Sequence, residues 1–178
     1  MQPRICRGRR GGFTLIEVII AIAILGIVVM IGVSNFQGMM EKYRVEGETK
    51  QMFADLMDAR ARAMQRNRGF IVQINSSGID SKDYKTYEDT GPLGTEGDGS
   101  LGAGDTLVAN EVVKHKITWN SGDIDDFSFT FNRNGISSVT GYIRFVSTTT
   151  RPDYDCITVK ATRIKMGRYN GTNDCIEK

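Results

Sequence analysis

Proline is scarce in this chain, three in 178 residues, and none falls between Phe13 and Arg68. Nothing there breaks a helix from within, so the stretch can run as one long element. Histidine occurs once, at His115, and the three cysteines form no CxxC pair. A zinc site therefore lacks ligands, and His115 has no recognisable serine or cysteine motif to activate. The glycine-rich stretch Gly91–Gly104 does not end in GK[ST], which excludes a phosphate loop. Glu96, Asp98 and Asp105 could hold calcium but match no EF-hand spacing. No enzyme site, metal site or cofactor is expected. Charge is nearly balanced, 23 basic against 21 acidic side chains, so the chain does not read as a nucleic-acid binder over its whole surface.

What the chain does have is concentrated in residues 8–33. Arg4, Arg7, Arg9 and Arg10 precede an apolar segment whose one charge is Glu17, and from Val18 to Val33 no side chain is polar. With Phe13–Ile16 the apolar stretch reaches about 20 residues, enough to cross a hydrocarbon core. The leading arginines would hold the amino end in the cytoplasm and send the carboxyl end across. A secretory signal puts its small-residue cleavage site after the apolar region. Here Gly11-Gly12 comes before it, so cutting there leaves the helix on the mature protein. Removing residues 1–12 also takes away four arginines, leaving 19 basic against 21 acidic side chains. The basicity of the chain is thus largely a signal of topology.

Residues Gly12-Phe13-Thr14-Leu15-Ile16-Glu17 resemble the class III signal of type IV pilins and type II secretion pseudopilins. The resemblance implies cleavage between Gly12 and Phe13 by a prepilin peptidase and N-methylation of Phe13. It also implies a role for Glu17. A carboxylate in lipid costs about 2.5–3.5 kcal/mol and needs a partner. In this family the implied partner is the freed amine of a neighbouring subunit, here that of Phe13. Thr14 reads as a local hydrogen-bonder to the backbone.

Beyond Val33, apolar residues recur at spacings of three and four among charges as far as Arg68, the pattern of an amphipathic helix. Met39, Met40, Met52, Met57 and Met64 read as part of its core stripe. The helix is expected to end near Asn67-Arg68-Gly69, with glycine suited to the cap. Strands are expected at Phe70–Ile74, Thr106–Ala109, Val112–Trp119 and Phe127–Phe131, with loop across residues 76–105. Asn132–Gly135 reads as a turn returning Tyr142–Val146 onto Phe127–Phe131 as a hairpin. Cys156–Ala161 and Arg163–Met166 would close the sheet, broken by Gly167–Gly171. His115 reads as a surface or satisfied residue. Cys6 lies in the leader. Cys156 and Cys175 remain as an even pair in a domain expected outside the cytoplasm, where disulfides persist.

The run Phe-x-Phe-x-x-x-Gly, followed by a strand, Ile-Thr-Val and a terminal Gly-Arg, resembles the GspH/FimT family of minor pseudopilins and pilins. The fold class expected is α+β, a long membrane-anchored helix packed on a small antiparallel β head. Residues 1–12 form a cleaved leader, 13–33 the transmembrane half of the helix, 34–68 its amphipathic half and 69–178 the periplasmic head. The resemblance implies a subunit that primes or caps a filament in protein secretion. Its partners would be other pilins or pseudopilins, prepilin peptidase, an inner-membrane assembly platform and the membrane itself. It would sit in the bacterial inner membrane as a single-pass protein before entering the filament. An alternative rests on Lys160, Arg163, Lys165 and Arg168, which resemble the terminal basic segment of DNA-uptake members and could attract phosphates at a pilus tip.

Overall fold

In a computed structural model the described residues are 12–75, 82–91, 97–120, 122, 124–147, 151–172 and 174–178; within the helix, side chains 31–37 lie outside the description. The architecture is α+β. The chain divides into two compact units, Met1–Met39 and Met40–Lys178. Helix α1 spans Leu15–Arg66 and contributes to both.

The first unit is the beginning of α1. Thr14 caps it: its carbonyl accepts the Glu17 N–H at 3.1 Å, and its Oγ1 lies 3.4 Å from the same nitrogen. Thr14 thus supplies its half of a capping box, and the acidic side chain of Glu17 lies in the first turn, where the helix dipole favours it.

The second unit is the head. Nine strands follow the helix among the described residues: β1 Phe70–Ile74, β2 Asp83–Glu88, β3 Thr106–Val112, β4 Lys116–Trp119, β5 Phe127–Phe131, β6 Gly141–Val146, β7 Cys156–Lys160, β8 Arg163–Tyr169 and β9 Cys175–Glu177. They form two antiparallel sheets, one ordered β3-β2-β1-β5 and the other β4-β6-β7-β8-β9. One core joins the helix to both. Val45, Met52, Leu56, Ala59 and Ala63 supply the helical side, at spacings that keep them on one face. Phe70, Val72, Phe129, Phe131, Ile117, Ile143, Phe145, Ile157 and Val159 meet them from the sheets. The alternation Phe127-x-Phe129-x-Phe131 puts three rings in a row, and Trp119 stacks on the first at 4.7 Å between centroids.

Several expectations need correcting. The stretch 76–105 is not all loop, because Asp83–Glu88 forms β2 between β1 and β3. Its charged residues hide the pattern, yet Tyr84 is buried and its hydroxyl donates to Asp55 Oδ2 on α1 at 2.6 Å. The proposed hairpin of β5 with β6 does not form: β5 pairs with β1, and β6 lies in the other sheet between β4 and β7. The turn itself exists, with Gly135 at φ 71° and its N–H on the Asn132 carbonyl. After the bridge from Phe131 to Ser137 the chain leaves for the second sheet.

The segment Val112–Trp119 is not one strand either. The backbone N–H groups of Lys114 and His115 are taken by the Glu48 carboxylate and cannot join a ladder. Strand β8 runs through Gly167 to Tyr169, and the break comes at Gly171. The αL residue at the helix end is Asn67, φ 54°, with the Arg68 N–H on the Ala63 carbonyl as in a Schellman motif. Of the methionines in the presumed core stripe only Met52 is buried; Met39, Met40, Met57 and Met64 are exposed. Met57 and Met64 each follow a core position, Leu56 and Ala63, and one residue turns a helix by about 100°.

Candidate functional site

The residues singled out by sequence fall in three places. The first is the start of α1. Gly12 and Phe13 precede the capped turn, and Phe13 is 84% exposed. From Leu15 to Met30 every described side chain is exposed, including Ile16, Ile19, Ile20, Ile24, Leu25 and Ile27. A continuous apolar surface of this kind marks a segment that is covered by lipid or by protein. Among the described residues no helix is long and apolar enough to cross a membrane. The described side chains of the apolar segment stop at Met30, short of the about 20 residues a crossing requires. The expected span 13–33 extends past them. Residues 1–11 of the expected leader, Cys6 included, lie outside the described residues, as does Glu96 of the acidic loop.

The second place is the far edge of the larger sheet. Cys156 on β7 and Cys175 on β9 are joined by a disulfide, with Cα atoms 6.1 Å apart, across the intervening β8. Tyr142 and Tyr169 pack around it, and the Arg144 guanidinium lies 3.7 Å from the centre of the Tyr169 ring. Gly167 lies opposite Cys156 on one side and Glu177 on the other.

The third is the basic cluster, beside the second. Lys160 Nζ lies 2.9 Å from Glu177 Oε1, Arg163 Nη2 3.0 Å and Lys165 Nζ 3.4 Å from Glu177 Oε2. Three of the four cations thus converge on one carboxylate. Hydrogen bonding from Lys160, then from Lys165, holds that carboxyl below the usual glutamate range. Arg168 is on the same strand β8, and its charge acts on Asp153 and Asp155. The anion that sequence reasoning missed sits on β9, a strand of three residues with no periodic signal. Glu177 offsets one of the three charges that meet on it, and no other observation favours the nucleic-acid reading.

A cleft of about 200 Å³ lies beyond the end of α1, lined in part by Arg68, Asp89, Thr130 and Arg133. Asp89 is buried, its Oδ2 accepts the Gly99 N–H at 2.8 Å, and burial raises its carboxyl above the usual range. Gly69 and Gly97 both pass so close to this carboxyl that a Cβ would collide with it. Among the described residues that line it, the Thr130 hydroxyl donates to the Gly99 carbonyl at 2.9 Å rather than to a base.

Comparison with known proteins bears on the first of these places and on the fold. Residues 7–33 match the prokaryotic N-terminal methylation motif. No curated protein matches the chain in sequence. Among solved structures the minor pseudopilin EpsH from the type 2 secretion system of Vibrio cholerae is similar, with a TM-score of 0.50 and 11% identity, covering 70% of this chain and 97% of that one. The chain carries a prepilin methylation motif on a pilin fold. The type IV minor pilin FimU of Pseudomonas aeruginosa also matches, at 16% identity and TM-scores of 0.48 and 0.49 in two crystal forms. Those matches cover 68% and 71% of this chain and 90% of FimU.

Proposed function

We infer that this pilin-fold chain is a minor subunit of a type II secretion pseudopilus or a type IV pilus. The observation that carries the reading is the coincidence of a methylation motif at residues 7–33 with a helix that is capped at Thr14 and, Glu17 apart, exposes apolar side chains as far as Met30. Prepilin peptidase cuts between Gly12 and Phe13, and the new amino group of Phe13 is methylated. The apolar start of α1 anchors the subunit in the inner membrane as a single pass, with the head in the periplasm. It then packs against other pilins in the filament, and exchanging apolar lipid contacts for apolar protein contacts keeps the cost of the transfer small. Glu17 sets the register by pairing with the Phe13 amine of a neighbour, which neutralises both charges in the apolar layer. The role is structural, with no reaction catalysed.

The test has two arms. Mass spectrometry of the membrane-embedded protein, from cells with an active peptidase, should find methylated Phe13 at the amino terminus. Retention of Met1 would overturn the reading. In the second arm Glu17→Ala should insert normally but enter filaments poorly. Filaments with the usual amount of the variant would remove the register role and leave the processing result standing.

A further inference from the structure

His115 is the one histidine of the chain, and its side chain is 6% exposed. It stands where the chain crosses from β3 in one sheet to β4 in the other. Each ring nitrogen faces a carboxylate at 2.6 Å: Nδ1 faces Glu48 Oε2, and Nε2 faces Glu41 Oε1. Glu41 and Glu48 lie about two helical turns apart on α1, on one face. The Glu48 carboxylate also accepts the backbone N–H groups of Lys114 at 2.9 Å and His115 at 3.2 Å.

A neutral imidazole has one N–H and one lone pair. Between two carboxylates, its bare nitrogen would face an oxygen lone pair at contact distance. Only the doubly protonated ring donates to both. The surrounding charges are Arg44 on α1, 3.6 Å from Glu41, and Lys114 on the crossing itself, whose charge acts on Glu41. Towards β2 and β3, Glu48 and Glu111 both act on the Tyr84 phenol, which burial keeps protonated. The Glu41 carboxyl is held below its usual range, chiefly by its hydrogen bond to His115. Of these groups, the imidazole is the type that ordinarily changes charge between pH 5 and 8.

We propose that His115 is a proton-dependent latch, fastening residues 41–48 of α1 to the β3–β4 crossing most firmly while both ring nitrogens carry protons, and losing one of its two carboxylate contacts when one proton leaves. Other ties hold the same stretch, among them the Lys114 and His115 backbone N–H groups on Glu48. Lys42 Nζ meets Asp153 Oδ2 at 2.9 Å, and Glu46 accepts the Asp153 backbone N–H at 2.8 Å. None of these depends on the charge of the imidazole. Opening the latch therefore loosens this part of the helix without freeing it. Gly47, between the two latch carboxylates, lowers the cost of local fraying. The latch makes the head-proximal part of α1 firmer in mildly acidic surroundings than in mildly alkaline ones.

The full-length protein in detergent micelles provides the test. Amide hydrogen exchange is measured at about pH 5.5 and about pH 8.5 and expressed as protection over the intrinsic rate. Protection across residues 42–50 should fall about tenfold at the higher pH, the size of one lost charge-assisted hydrogen bond. In Glu41→Gln, a change at a partly exposed position, that fall should shrink to less than about twofold. Nitrogen-15 spectra should show both ring nitrogens protonated at the lower pH. Equal protection at the two pH values, an undiminished fall in Glu41→Gln, or a single ring proton at the lower pH would each overturn the proposal.

Discussion

At Gly167 there is no room for a side chain. A Cβ there would stand 2.4 Å from the Ile176 carbonyl oxygen and 2.9 Å from Cys175 Sγ. Glycine at this point lets β8 and β9 approach while the disulfide passes alongside. Gly167→Ala should therefore destabilise the head by about 1–3 kcal/mol, the usual cost of overpacking. Urea titration with tyrosine and tryptophan fluorescence would read it as a lower midpoint. A midpoint within error of the native one would mean that the strands separate freely at this position. Gly69 illustrates the same lesson differently. Its sequence position suggested a helix cap, but Asn67 fills that role, and Gly69 instead makes space for Asp89. Local sequence shows that a small residue is needed, while the neighbour that demands it comes from elsewhere in the chain.

Among the elements, α1 makes the sharpest comparison. Leu56 and Met57 are adjacent, both apolar and both in the same helix. Leu56 is 1% exposed and Met57 41%. Leu56→Ala should cost about 2–5 kcal/mol through lost contacts and a residual cavity, whereas Met57→Ala should stay within about 0.5 kcal/mol. Thermal or chemical unfolding of the two variants side by side decides it, and equal losses would mean that the helix is rotated from the orientation described. What could be read from the sequence follows the range of each signal. The strands β1 and β5 were legible at their true bounds, because apolar and β-branched runs or strict alternation declare themselves within five residues. Strand β2 was not, since its burial comes from Tyr84 reaching the helix and from neighbours on both sides. The methylation segment was legible because its parts are contiguous. The two carboxylates on His115 were not, being 67 and 74 residues away. The counter-ion of the basic cluster was hidden for the same reason.

For the whole molecule, the disulfide and the order of the sheets matter most. The bridge ties β7 to β9 over a separation of 19 residues, which should contribute about 3 kcal/mol by restricting the unfolded chain. Replacing both Cys156 and Cys175 by serine should lower unfolding stability by about that much. Reduction of the native protein should lower it similarly. Unchanged stability in the double variant would show that β9 is held by its ladder and by Glu177 alone. The two sheets differ in how their strands find one another. In the larger one, β6, β7, β8 and β9 are neighbours in both sequence and space. In the smaller one, β1 lies between β2 and β5, and its second neighbour comes only after β3 and β4 have been made. All five residues of β1 are buried in the finished head. Until β5 is available, that oily ribbon keeps one edge of unanswered amides and carbonyls, ready to zip onto any other extended chain. Over the interval between the appearance of β1 and that of β5, this edge is open to copies of the same polypeptide.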